Sequence, residues 1–151
     1  MRKIISISFL IFLVIGCSEN INSDSVIAKK IEKVCNNKMS CRIDMKNLVN
    51  VEWDKMYFFK EGMSLEQINQ ILGFKYNYFE DIAKRLVFVK ANQVVFHEDE
   101  FPSIESAKNG ELVFNIGDSI MFKSYLPDEA IFSVQKVEFS MGSYYELTPI
   151  K

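Results

Sequence analysis

Histidine is almost missing from this chain: His97 is the only one among 151 residues, and that scarcity narrows the chemistry at once. A zinc site draws most of its ligands from histidine and cysteine, so one imidazole with no thiol pair beside it is thin for a metal. Any serine triad would have to use His97 as its base, and no Gly-x-Ser-x-Gly elbow is present to supply the nucleophile. The six glycines are scattered singly, which leaves no Gly-rich cradle for phosphate. The acidic run beside His97 lacks both the spacing and the turning glycine of an EF-hand loop. Positive charge is also short, with 18 basic against 20 acidic side chains and no basic cluster, so nucleic acid is a poor partner. No internal repeat or low-complexity segment is visible, and no apolar run reaches the roughly 20 residues that a membrane-crossing helix needs.

What is there begins at the N terminus. Arg2 and Lys3 precede an uncharged, mostly apolar run from Ile4 to Ile15, which has the charge and length of an export signal. The segment ends in Val14-Ile15-Gly16-Cys17, which resembles the lipobox of bacterial lipoproteins. That resemblance implies a diacylglyceryl group on the Cys17 thiol, cleavage between Gly16 and Cys17, and acylation of the new amino terminus. Each buried methylene contributes about 0.8 kcal/mol and stable anchoring needs roughly two chains, so such a cysteine would hold the protein without any span. Ser18, where that family's inner-membrane members carry aspartate, implies the outer membrane, facing the periplasm, in a Gram-negative cell. Loss of Arg2 and Lys3 would leave 16 basic against 20 acidic side chains, a formal charge of −4, and attachment is then left to the lipid rather than to charge.

The expected organisation is a signal peptide over 1–16, a lipidated cysteine and polar tether over 17–25, and a single domain over 26–151, near the common size of one domain. With Cys17 acylated, Cys35 and Cys41 remain, and disulfides persist in exported proteins. A Cys35–Cys41 bridge is the expectation, closing a short loop worth roughly 2 kcal/mol. Two free thiols are the alternative, and half a metal site would lack its histidines.

From Val26, the residues Ile27, Ile31, Val34 and Cys35 fall at helical spacing with lysines and a glutamate between them. Alternating apolar and aromatic residues between Arg42 and Phe59 predict two strands broken near Lys46-Asn47. Ser64 with Gln67 forms a capping box, and Gly73 stands where a helix over 65–72 would stop. Strands are expected at Leu86 to Val89 and Val94 to His97 as a hairpin, then at Glu111 to Phe114, Ile120 to Tyr125, Ile131 to Val137 and Tyr144 to Leu147. Short connections favour antiparallel pairing. The class is α+β, a mainly antiparallel sheet of about six strands with two short helices in the N-terminal half.

Aromatic residues are plentiful, with 13 Phe, 6 Tyr and Trp53. Most belong in a core. Trp53 is read first as core and second as a partner contact, while Tyr144 and Tyr145 are equally suited to a core and to a partner contact, since such residues are enriched at interface hot spots. His97 with Glu98, Asp99 and Glu100 reads as a solvated strand end. Only His97 with Asp99, or Glu98 with Glu100, can share a face of a strand.

Glu61-Gly62-Met63-Ser64-Leu65-Glu66-Gln67-Ile68-Asn69-Gln70-Ile71-Leu72-Gly73 resembles the Gly-Met-Ser/Thr helix of the SmpA/BamE-like lipoproteins, accessories of outer-membrane barrel assembly, although Phe74 stands where that family commonly has proline. The segment from Val51 to Phe59, with the helix and hairpin that follow, is similar to a group of small exported bacterial proteins of unknown function. These readings together lead to a non-enzymatic, lipid-anchored module without cofactor or metal that binds another envelope protein, as an assembly accessory or as an immunity-type lipoprotein. The alternative is a metal-dependent or hydrolytic envelope enzyme using His97 and its neighbouring carboxylates.

Overall fold

The computed structural model describes residues 25–36, 38–101, 110–140 and 142–150; Gly16, Cys17 and residues 18–24 lie outside the described residues. Ser25 accepts a hydrogen bond from the Ala28 amide and starts α1 (Val26–Cys35), which ends on Asn36 in the left-handed conformation. Its inward face is Ile27, Ala28, Ile31 and Cys35, whereas Val34, expected on that face, points to solvent. Strand β1 (Ser40–Asp44) follows, and Asp44 then caps the single turn α2 (Met45–Leu48). That turn is a third helix, and it falls where the break at Lys46-Asn47 was expected. After β2 (Lys55–Phe59) comes α3 (Leu65–Leu72), with both halves of the Ser64–Gln67 capping box formed and Gly73 at φ 78°.

Strands β3 (Lys84–Lys90) and β4 (Gln93–Glu100) form the expected hairpin, turning through Ala91 and Asn92, both at positive φ. Its pairing shifts between Phe88, opposite Phe96, and Val89, opposite Val94, leaving Val95 as an extra residue. The chain finishes with β5 (Leu112–Phe114), β6 (Phe122–Tyr125), β7 (Ile131–Phe139) and β8 (Gly142–Pro149).

Eight strands divide into two four-stranded sheets, in the orders β1-β7-β8-β5 and β4-β3-β2-β6, where one sheet of about six was expected. The reason lies in β2 and β3, which are apolar on both faces. Met56, Phe58, Leu86 and Phe88 enter a large core shared with the first sheet, α1 and α2. Tyr57, Phe59, Val87 and Val89 enter a second core under α3 and Tyr76. A strand that is apolar on both sides needs a layer against each, so the second sheet becomes the middle of three layers. Phe59, Phe88 and Phe132 are completely buried, and such a side chain contributes about 1.5–3 kcal/mol by leaving water. All pairs are antiparallel except β5 with β8, which is parallel. The long excursion through β6 and β7 gives that pair its crossover.

Two ties hold α1 against the sheets. Glu98 on β4 accepts from the Val26 and Ile27 amides at 3.0 and 3.2 Å and from the Ser25 hydroxyl, placing a negative charge where unsatisfied helical N–H groups converge. At the other end Cys35 and Cys41 are joined as a disulfide, with Cα atoms 5.5 Å apart.

Candidate functional site

Alternation along β4 places His97 and Asp99 on the α3 side of the second sheet and Glu98 and Glu100 on the other. The pairing with β3 sets Val87 opposite His97 and Arg85 opposite Asp99. Arg85 is 2% exposed, so its charge must be compensated from within. Its guanidinium lies 4.7 Å from the centre of the Phe79 ring and 5.8 Å from that of Tyr76. It donates to the Glu80 and Ala83 carbonyls and stands 3.9 Å from the Asp99 carboxylate. Burial raises the Asp99 pKa, and the Arg85 and His97 charges offset part of that rise. Burial also raises the Tyr76 hydroxyl above the ordinary phenol range. Tyr78 covers the His97 ring, with centroids 4.1 Å apart and planes 27° from parallel. No hydrogen bond joins His97 to Asp99 or to a serine hydroxyl among the described residues, so the pair is close without forming an oriented acid–base couple. Among the described residues, no three His, Cys, Asp or Glu side chains are grouped to hold a metal ion.

On the opposite face, Glu100 sits beside Lys84, which is paired with Glu111. Burial, helped by the Glu111 and Glu98 charges, pushes the Glu100 pKa up to about 7, against the opposing pull of the Leu112 amide and Lys84. The Leu112 amide donates to the Glu100 carboxylate at 3.0 Å. Through that bond Glu100 reaches the side of β5, an edge strand of the first sheet, that no strand among the described residues pairs.

A groove of about 360 Å³ runs along this side, walled by β5 and residues 115–118 on one flank and by Phe58, Lys60, Glu61 and Lys84 on the other. Its size is within the range of small binding clefts. Phe58 and Phe114 stack at 4.4 Å in its lining. Lys60 crosses to donate to the Gly117 and Asp118 carbonyls at 2.8 and 3.2 Å. Tyr145 donates its amide to the Glu111 carbonyl and Asn115 its amide to the Leu147 carbonyl. The odd residues of this segment therefore bond to β8, and Leu112 and Phe114 turn their main-chain groups to the groove.

The aromatic candidates fare differently from one another. Trp53 is 6% exposed, edge-on to Phe88 at 5.2 Å, and Tyr145 is 3% exposed in the same core; neither presents a surface to a partner. Tyr144, on the other face of β8, is half-buried and leans on Phe139. Sequence reasoning missed Arg85 and the groove. A cue for Arg85 exists: it shares period-two spacing with Val87 and Val89, placing a charge on an otherwise buried face. No comparable cue marks the groove, which is made by segments far apart in the chain. Comparison with protein-family models, curated proteins and solved structures finds none that matches this chain.

Proposed function

We propose that this chain is a lipid-anchored, non-enzymatic protein-binding module of the bacterial cell envelope. Residues 1–16 direct export and acyl chains on Cys17 hold the mature domain at a membrane, the outer membrane facing the periplasm in a Gram-negative cell. The Arg2-Lys3 start, the short apolar run and the lipobox-like Val14-Ile15-Gly16-Cys17 support the address, and a Cys35–Cys41 disulfide suits a chain working outside the reducing cytosol. The binding half is carried by one observation, the groove beside the edge of β5 that no strand among the described residues pairs. An unpaired strand edge inside a cleft offers main-chain hydrogen bonds to an extended segment while the cleft walls select its side chains. Assembly accessory, as the SmpA/BamE-like helix suggests, and immunity-type neutraliser are both uses of such a module.

In-cell crosslinking of the tagged, lipidated protein, with mass spectrometry of the captured species, tests the binding half. One abundant envelope protein is the expected result, and its identity chooses between accessory and neutraliser; repeated capture of nothing above background would remove the reading. The address is tested apart, because Cys17→Ala should stop lipidation and shift the protein out of the membrane fraction. A Cys17→Ala protein that still carried acyl chains would defeat it.

The alternative, an envelope enzyme acting through His97, draws support from the raised Asp99 pKa on the same face, since perturbed groups gather at functional sites. His97→Ala would decide the matter, because unchanged metal content and unchanged complementation leave that enzyme without its base.

A further inference from the structure

We infer that the β5 groove receives an extended, basic segment of the partner protein, which adds as a strand running parallel to β5. The inference rests on the protein-binding reading above and names the chemistry of the partner at that site. Of the four main-chain groups that Leu112 and Phe114 turn outward, two are used within the chain. The Leu112 amide donates to Glu100, and the Phe114 carbonyl accepts from the Ile116 amide at 3.0 Å. Among the described residues, the Leu112 carbonyl and the Phe114 amide remain. An antiparallel neighbour bonds to the amide and carbonyl of one and the same residue, whereas a parallel neighbour bridges the carbonyl of one residue and the amide two positions on. The remaining pair is of the second kind, so one residue of a parallel strand satisfies both groups at once.

The walls decide the charge of the guest. Both cations lining the groove are already engaged: Lys60 on the Gly117 and Asp118 carbonyls, and Lys84 on Glu111. The carboxylates of Glu61, Asp118 and Glu146 also line it, and among the described residues none of the three is in an ion pair; Glu146 accepts from the Asn115 side-chain amide nitrogen at 3.3 Å. The Lys60 charge, held on neutral carbonyls, offsets one of these carboxylates, so among the described residues the groove keeps a net negative charge around its strand edge, which favours Lys or Arg on the incoming segment. Side chains on a strand alternate between faces, so a basic residue at every second position would meet these carboxylates.

A labelled ten-residue peptide of alternating lysine and valine is the probe, titrated into the lipidated mature protein in detergent and followed by fluorescence anisotropy. The expected result is saturable binding that falls about tenfold or more in the triple variant Glu61→Gln/Asp118→Asn/Glu146→Gln and weakens with added salt. In the unaltered protein, the peptide should also slow hydrogen exchange at the Phe114 amide but not at Val113, which already bonds to β8. Absence of binding, equal binding of a glutamate–valine peptide, or an unprotected Phe114 amide would each overturn the assignment. A partner captured in cells that leaves a photo-crosslinker at position 116 silent would preserve the protein-binding reading and overturn only this one.

Discussion

Removing the Arg85 side chain would leave the Asp99 carboxylate buried without its cation and would cut the chain's tie to the Glu80 and Ala83 carbonyls. Losing one partner of a buried pair is costly because the other charge stays behind. Arg85→Ala should therefore destabilise the fold by about 3 kcal/mol in urea denaturation. The double variant Arg85→Ala/Asp99→Ala should lose less than the sum of the two single variants. Glu100 acts in the opposite sense. Its folded pKa is about 7, above the ordinary glutamate value, so the folded protein holds a proton that the unfolded chain has released. Stability from this group is thus greatest below the ordinary value and falls as pH rises to about 7, beyond which it levels. Glu100→Gln, which keeps an acceptor for the Leu112 amide, should flatten that slope and gain about 1–2 kcal/mol at pH 8, measured by denaturation across pH. Alternation alone correctly paired His97 with Asp99 and Glu98 with Glu100. It could not reveal Arg85 facing Asp99, because cross-strand register is a property of two segments and no local pattern carries it.

Among the elements, α1 depends on ties at its ends as much as on its four inward residues. Replacing Cys41, the less buried of the two, by serine should cost roughly 2 kcal/mol under oxidising conditions, and almost nothing against the reduced wild type. The same denaturation series run with and without reductant checks both halves of that expectation. Both longer helices and the β3–β4 hairpin were legible in the sequence, because caps, helical spacing and turn residues act within a few positions. The partition into two sheets was not. Its trace was present in Tyr57-Phe58-Phe59 and in the unbroken Leu86 to Val89, where no polar residue alternates. Such runs mark strands covered on both faces, and counting them as half-exposed strands leads to a single sheet. The parallel pairing of β5 with β8 was equally hidden, since short neighbouring turns suggest hairpins and the partner of β5 lies beyond two intervening strands.

For the molecule as a whole, β4 links the start of α1 to the groove strand, since Glu98 accepts from the first amides of α1 and Glu100 accepts from the Leu112 amide of β5. The chain enters at Ser25 beside β4, one edge of the second sheet, while the groove runs along β5, an edge of the first. The Glu98 bonds to the start of α1 also give the fold a mechanical entry point. A pull arriving through residue 24 meets the Ser25, Val26 and Ile27 contacts first and is passed sideways into β4, a strand held along its length by β3. If the helix does yield, the Cys35–Cys41 bridge limits the released length to α1 and hands the load to β1 at Cys41. Stretching the protein from position 17 in an optical trap should show an early, short extension limited to α1, and Glu98→Ala should bring it on at lower load. A wild-type domain that opened in one step, with no such extension, would mean that the helix bears no separate load. On the proposed lipid attachment, strain from a moving membrane would be spent on the ten residues of α1 before it disturbed the strands around the groove.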